Sequence, residues 1–347
     1  MQLTLAPANA QDEEIWNGIV ERSPHGSIFH LWRWLEITAR HTGTAFHPLL
    51  GTVDGEPLCI VPLFVQQKGP LRLVFSPPPH AAIFGLGPLV AGWDEMVQDR
   101  RESVFEALVQ ETDRYIGTVL KAGYVQIALA YGFEDPRPFS WLGYSVEPAY
   151  DYVNDLSAGF EEVVAAMGRK SRQDLARAVR RGMHVEEGGQ AEMEAVIGLM
   201  VERYREQHKM VTVSKEYLLE LYDAFPKNIR VLVARQDGEI VTGLLDLAWK
   251  NRISSWIGNP KPRKKISPSP NDLIAFEAIK IACDTGCGEY ITMSAAGNQR
   301  LHQYYASKFN PHLKVRYTVR RATPALRALE VAYIRLIKPV LAAIRQR

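Results

Sequence analysis

Leu49-Leu50-Gly51-Thr52-Val53-Asp54-Gly55-Glu56-Pro57-Leu58-Cys59-Ile60-Val61-Pro62-Leu63 reads as a strand, an Asp-Gly turn and a second strand. Asp-Gly supplies the positive φ values that a tight hairpin turn needs, and the aliphatic runs on either side supply the strands. The pattern recurs 183 residues later as Val231-Leu232-Val233-Ala234-Arg235-Gln236-Asp237-Gly238-Glu239-Ile240-Val241-Thr242-Gly243-Leu244-Leu245. One such hairpin is a common local device. Two in matching surroundings organise a whole chain.

The surroundings match. Helical periodicity precedes each hairpin, over Trp32–His41 in the first half and over Met193–His208 and Lys215–Ala224 in the second. Each hairpin is followed by a strand (Leu71–Phe75; Ile253–Ile257), a Pro-rich loop and a helix (Arg101–Lys121; Asn271–Asp284). Gly123 and Gly286 stand where helix C-caps belong. Short strands follow, Val125–Ala130 and Tyr290–Met293, then a turn or helical segment and a final extended run, Ser145–Leu156 and Leu313–Arg320. A tandem duplication of one α/β unit explains the repeated order. The expected organisation is a first module over 1–158, a basic connecting helix over 159–182, a second module over 183–322 and an amphipathic helix over 323–347.

Composition narrows the function classes. The 347 residues, 46% hydrophobic, suffice for two domains with their own cores and are too apolar for a disordered chain. With 41 Lys+Arg against 39 Asp+Glu, the summed field is too weak for whole-chain polyanion binding, so any anion affinity must come from local clusters. Such clusters occur in the connecting helix, the 261–265 loop and the tail. Cys59, Cys283 and Cys287 have neither disulfide-framework nor zinc-site spacing; Cys283 and Cys287 could share a helix face, but no nearby His or Cys completes a site, so no metal is expected. Met1–Ala10 lacks the marks of a signal peptide, and no run of about 18 uncharged apolar residues occurs. The expected location is cytoplasmic.

Four patches then resemble a known family. Phe29-His30-Leu31-Trp32-Arg33-Trp34-Leu35 is similar to the opening "fhs-x-x-Trp-Leu" of the FemAB-like proteins, which include peptidoglycan-bridge aminoacyltransferases and BioF2-like acyltransferases. Phe84-Gly85-Leu86-Gly87-Pro88-Leu89 resembles their "Tyr-Gly-Gly-Pro-Leu" loop. Met167–Leu175, running on to Gly182-Met183-His184-Val185, resembles their "Lys-x-x-Arg-x-x-Ile-x-x-Ala… Gly-Val-x-Val" segment. Tyr304-Tyr305-Ala306-Ser307-Lys308-Phe309-Asn310 resembles their closing "Phe-Lys-x-x-Phe-Gly", with the family's Lys falling on Ala306 and Lys308 two positions later. The resemblance implies two fused GNAT-type modules, α/β with mixed sheets flanked by helices, acting as one acyl- or aminoacyltransferase. It implies no permanently bound cofactor, with acyl-CoA or aminoacyl-tRNA as co-substrate. Neither half carries the Arg-x-x-Gly-x-Gly/Ala phosphate loop of an ordinary acetyl-CoA-dependent module.

Candidate residues follow from the chemistry. Acyl transfer to an amine needs a neutral amine, a proton acceptor and support for a tetrahedral oxyanion. Asp246 lies on a strand face opposite Leu245 and Leu247, where partial burial would raise its pKa to suit a base; facing water is the alternative. Tyr305 and Lys308 are candidates for proton transfer or oxyanion support, and Tyr304 for substrate contact, though one Tyr of an adjacent pair commonly belongs to the core. On the basic helix, Lys170 and Arg172 are candidate substrate contacts; Arg172, bordering the apolar stripe beside Val179, could grip a phosphate or carboxylate or form a structural ion pair. Lys261, Arg263 and Lys264, just before a helix opening at Asn271, form a candidate donor-phosphate site, with a mobile surface loop as the alternative. His-Glu-x-x-His, Gly-x-Ser-x-Gly, P-loop and dinucleotide fingerprints are absent.

The expected function is transfer of an acyl or aminoacyl group to an amine, on a small molecule, cell-envelope precursor or nucleotide-sugar precursor. A tRNA partner follows if the donor is aminoacyl-tRNA. The alternative is a non-catalytic binder of a nucleotide-linked or RNA ligand on the same scaffold. The tail's stripe of Leu326, Leu329, Tyr333, Leu336 and Val340, with cations elsewhere, could rest on an anionic membrane or pack on the body.

Overall fold

Runs of alternating aliphatic residues become strands because one or both faces of each must leave water. The computed structural model describes residues 2–208, 211, 213–258, 260, 262, 266–292 and 305–327. It divides the chain into two units, Met1–Ala149 with Arg316–Arg347, and Tyr150–Val315.

The first unit contains β1 (Leu3–Pro7), α1 (Glu13–Arg22), α2 (Trp32–Thr42), β2 (Ala45–Val53), β3 (Glu56–Lys68), β4 (Leu71–Ser76), β5 (Leu89–Val90), α3 (Gln98–Tyr115), β6 (Tyr124–Ala128) and α4 (Arg137–Trp141). β1 to β4 form an antiparallel meander, and β4 pairs parallel with β6, Leu73 facing Tyr124. Leu49, Leu63, Val74, Phe105, Leu108, Val125 and Ile127 are among the side chains of its core.

β7 (Ser145–Asp155) leads into the second unit, with α5 (Phe160–Ala166), α6 (Arg169–Arg180), β8 (His184–Gly188), α7 (Gln190–Glu206), α8 (Lys215–Ala224), β9 (Ile229–Gln236), β10 (Glu239–Trp249), β11 (Arg252–Gly258), α9 (Pro270–Asp284), β12 (Glu289–Thr292) and the start of β13 (His312–Ala322). β8 to β11 repeat the meander, and β11 pairs parallel with β12. Helix α9 covers one face through Leu273, Ile274 and Ala278, against Leu244, Ile253 and Tyr290. On the other face α7 approaches so closely that a Cβ on Gly243 would lie 2.0 Å from Val196 Cγ2.

The duplication read from the hairpins extends to their irregularities. Both turns take positive φ at Asp and Gly, 52° and 90° at Asp54-Gly55 and 51° and 81° at Asp237-Gly238. Both hairpins also carry an extra residue at the same distance from the turn, Leu58 in β3 and Val241 in β10.

Three expectations are corrected. The basic segment 159–182 is not one connecting helix but α5 and α6 within the second unit, broken where Met167 turns extended (φ −69°, ψ 142°) and buries its side chain. The long helix of the first half is capped by Lys121 in the left-handed region, after one π turn. Gly123 instead makes room, since a Cβ there would lie 2.8 Å from Leu326. Finally, the closing strands are exchanged: β6 pairs with β13, from the end of the second half, and β12 pairs with β7, from the end of the first. The module limits 158 and 183 therefore differ from the unit limits, which fall inside β7 and β13. Copies of one unit offer the same antiparallel edge, so strand order along the chain cannot say which copy a closing strand completes.

Candidate functional site

Asp246 sits in the middle of β10, and alternation puts it on the face of Leu244 and Ala248, beneath the core that α9 covers. Its side chain does not face water, for the residue is 1% exposed. Next to it β11 carries a bulge: Leu245 faces Ile257, but Asp246 faces Ser255, leaving Trp256 as the extra residue. Bulges of this kind re-aim side chains beside functional sites.

Two groups that sequence reading does not single out, Tyr290 and Arg230, stand beside Asp246. Tyr290, buried on β12, donates its hydroxyl hydrogen to the Asp246 carboxylate, 3.3 Å from Oδ1 and 3.5 Å from Oδ2. Arg230 is the cross-strand neighbour of Asp246 on β9, and among the described residues its buried Nη1 has no hydrogen-bond partner. Tyr305 lies in a helical stretch over 305–309, partly buried and stacked on Tyr152, with ring centroids 5.7 Å apart. Its hydroxyl donates to Asn154 Oδ1 at 3.0 Å, and Asn154 Nδ2 donates to the Phe309 carbonyl at 2.9 Å.

Burial dominates the electrostatics. It pushes the Asp246 pKa up to about 8, with the Tyr290 hydrogen bond and the Arg230 charge pulling weakly the other way. Burial also raises the phenols of Tyr290 and Tyr305 above the ordinary range, so both keep their protons. A carboxyl that changes charge near neutrality, inside a polar cluster, has the properties of an acid or base.

The duplicated unit provides an internal comparison. Strand register makes Leu63 the counterpart of Asp246, Val125 of Tyr290, Ile127 of Thr292 and Val319 of Tyr152. All four counterparts are fully buried aliphatics of the first unit's core. The counterpart of Asn154 is Arg321, which pairs with Asp113 and lies over the Tyr144 ring. At the first four of these positions the scaffold thus closes without polar groups.

The remaining candidates lie elsewhere or engage other partners. Lys308 is half-buried and gives its ammonium to Asp272, a buried carboxylate in the first turn of α9. Desolvation lowers the Lys308 pKa, opposed by Asp272 and by Asp174 on α6, with Lys170 adding to the lowering. Arg172 is exposed rather than lodged at an apolar border, because Val179 beside it is itself 58% exposed. Its guanidinium makes no hydrogen bond or ion pair among the described residues. Lys170 is exposed at the start of α6, and Asn271 is half-buried at the second position of α9. Tyr304, Lys261, Arg263 and Lys264 lie outside the described residues, as does the tail beyond Arg327. His30 serves structure: fully buried, it accepts from the Ser27 backbone N–H through Nδ1, so its Nε2–H donates to the Leu86 carbonyl at 2.7 Å and holds the 84–89 loop. Among the described residues no cluster of His, Cys, Asp and Glu could hold a metal ion, and no helix is long and apolar enough to cross a membrane.

Residues 169–299, which carry Asp246, Tyr290, α9 and β12, match the family profile of the acetyltransferase (GNAT) domain. No match to the sequence is found among curated proteins. Among solved structures the chain is similar to FemX, at 13% identity and a TM-score of 0.67 over 91% of this chain and 97% of that one. It is similar also to the C-terminal domain (DUF2156) of a putative lysylphosphatidylglycerol synthetase from Agrobacterium fabrum, at 14% identity and a TM-score of 0.56, covering 94% and 98%. A third is a tandem GNAT protein from the clavulanic acid biosynthesis pathway, at 12% identity and a TM-score of 0.55, covering 92% and 98%. The chain has a tandem GNAT fold, and its resemblance to the FemAB-like proteins holds at the level of that fold.

Proposed function

We propose that the protein is an N-acyltransferase, moving an acyl or aminoacyl group from an activated ester or thioester to an amine, with Asp246 as the base. The observation that carries this reading is the contrast between the units: Asp246 and Tyr290 are buried where the sister unit buries Leu63 and Val125. Burying a carboxyl and a phenol at sites that accept aliphatics is costly, so packing does not ask for them. In the proposed step the amine nitrogen attacks the donor carbonyl carbon while Asp246 takes an N–H proton. The tetrahedral intermediate then collapses, breaking the carbon–oxygen or carbon–sulfur bond and releasing the alcohol or thiol, which recovers a proton. Acyl-CoA and aminoacyl-tRNA both satisfy this chemistry as donors. Exposed Lys170 and Arg172 are proposed to meet anionic parts of the donor or of a nucleotide-linked or cell-envelope acceptor.

The test uses a panel of acyl-CoA and aminoacyl-tRNA donors with amine acceptors, guided by mass spectrometry of ligands that co-purify with the native protein. Asp246→Asn should lower turnover by about 10²–10⁴-fold, the range for loss of a general base. In the wild type, kcat/KM should rise with pH through about 8, as Asp246 loses its proton. Binding without turnover across the panel would replace this reading with that of a non-catalytic binder.

A further inference from the structure

A carboxyl that ionises inside the second unit must find groups to meet its charge. An ionised carboxylate can accept about four hydrogen bonds. Among the described residues one donor serves Asp246, the Tyr290 hydroxyl, at 3.3 and 3.5 Å. Helix α9 packs on this face with apolar side chains, Leu273, Ile274 and Ala278. A complementary group stands directly opposite.

Arg230 on β9 pairs with Asp246 on β10. Side chains opposite each other on one face of a sheet have Cβ atoms about 4.5–5.5 Å apart, so the guanidinium can reach the carboxylate by rotating its own side chain, with neither strand moving. Its outer end is engaged: Nε lies 3.6 Å from Oε1 of Glu187, whose side chain is 61% exposed. Its inner end is not, for Nη1 is buried and has no hydrogen-bond partner among the described residues. A buried donor left unpaired is costly and demands a reason. Here a carboxyl short of donors and a guanidinium short of an acceptor share one strand pair.

We propose that Arg230 is a positioning residue for Asp246: its Nη1 turns to the carboxylate when Asp246 loses its proton and withdraws when the proton returns. This rests on the reading of Asp246 as the base. With Asp246 neutral, the guanidinium stays with Glu187 and the site holds no fully buried ion pair. With Asp246 ionised, the pair fixes the carboxylate and opposes the burial that favours its neutral form. Strand pairing itself does not ask for a permanent cation here. The counterpart of Arg230 in the first unit is His47, opposite Leu63, and burial followed by the Arg72 charge lowers its pKa.

The test titrates the protein by NMR, with carbon-13-labelled aspartate reporting Asp246 and nitrogen-15-labelled arginine reporting the Arg230 Nε–H. The signals are assigned by their loss in Asp246→Asn and Arg230→Lys. Among the described residues, the charged and ionisable groups around Asp246 are Arg230 with Glu187 behind it, Tyr290 on β12 and Tyr305. The Arg230 signal should move with the Asp246 midpoint, and that step should vanish in Asp246→Asn. Arg230→Gln should raise the midpoint by about one pH unit, the lower end for removing a nearby opposite charge, while Arg230→Lys should stay nearer the wild type. With a turned-over substrate, the same shift lowers kcat/KM at pH 7 by about tenfold in Arg230→Gln and restores it above the new midpoint, which a merely structural defect does not do. An Arg230 signal that stays still through the Asp246 midpoint overturns the proposal, and this readout needs no folded Arg230→Gln protein. An unchanged or lowered midpoint in folded Arg230→Gln overturns it too. Turnover retained by Asp246→Asn would overturn the reading of Asp246 as the base while leaving both titrations standing.

Discussion

Asp246 binds a proton more tightly in the folded chain than in the unfolded one, and stability must depend on pH accordingly. Between its ordinary value of 3.8 and about 8, the native state holds a proton that the unfolded state has released, so stability falls as pH rises through that interval. The slope from this one group is at most roughly 1.4 kcal/mol per pH unit. Asp246→Asn keeps the shape and cannot ionise; chemical denaturation should find it close to wild type near pH 4 and increasingly more stable toward pH 8. A variant that tracks the wild type at both ends would show that Asp246 is already ionised in the folded protein. His30 acts in the opposite sense. Burial lowers its pKa to about 4, so its contribution is complete above the ordinary value of 6.5 and is lost as pH falls through 4. Replacing His30 with neutral Gln should flatten the acid side of the stability profile in the first unit.

At the scale of elements, β11 shows how backbone geometry positions the site. Its bulge at Trp256 is followed by Gly258 at φ 141°, where a Cβ would lie 2.5 Å from the Gly243 carbonyl oxygen and 2.7 Å from Leu244 Cα. Conformation and contact with backbone both exclude a side chain there. Gly258→Ala should therefore lower stability by about 2–4 kcal/mol and disturb β10 at Asp246, to be read as a loss in melting temperature together with turnover. The hairpins and the helix stripes were legible in the sequence because Asp-Gly turns and apolar periodicity act locally. The bulge at Trp256 was not, since it shows only in the pairing of two strands. The break at Met167-Gly168 was hidden for a related reason: helical periodicity continues across it, and the tertiary burial of Met167 decides the turn.

For the molecule as a whole, the exchange of closing strands decides both how the site is built and how the chain holds together. Asp246 and Tyr305 could be picked from the sequence because their residue types suit the chemistry. Asn154 could not, because it enters the second unit on a strand that follows the first. The same exchange leaves β6 without its antiparallel neighbour in any fragment that ends before β13. A fragment of residues 1–158 should then present an open edge at Tyr124–Ala128, with Val125 and Ile127 deprived of Val319, and should aggregate when expressed alone. Co-expression with residues 159–347 should restore solubility, because that fragment brings β13 to β6 and receives β7 on β12 in return. Cleavage at a protease site placed between the exposed Ser157 and Ala158 should likewise leave a species that elutes at the mass of the whole chain until denaturant is added. If 1–158 instead forms a soluble monomer with a cooperative melt, β7 must have returned to β6 in the isolated half. The exchange would then be a choice between two similar edges rather than a requirement of the fold.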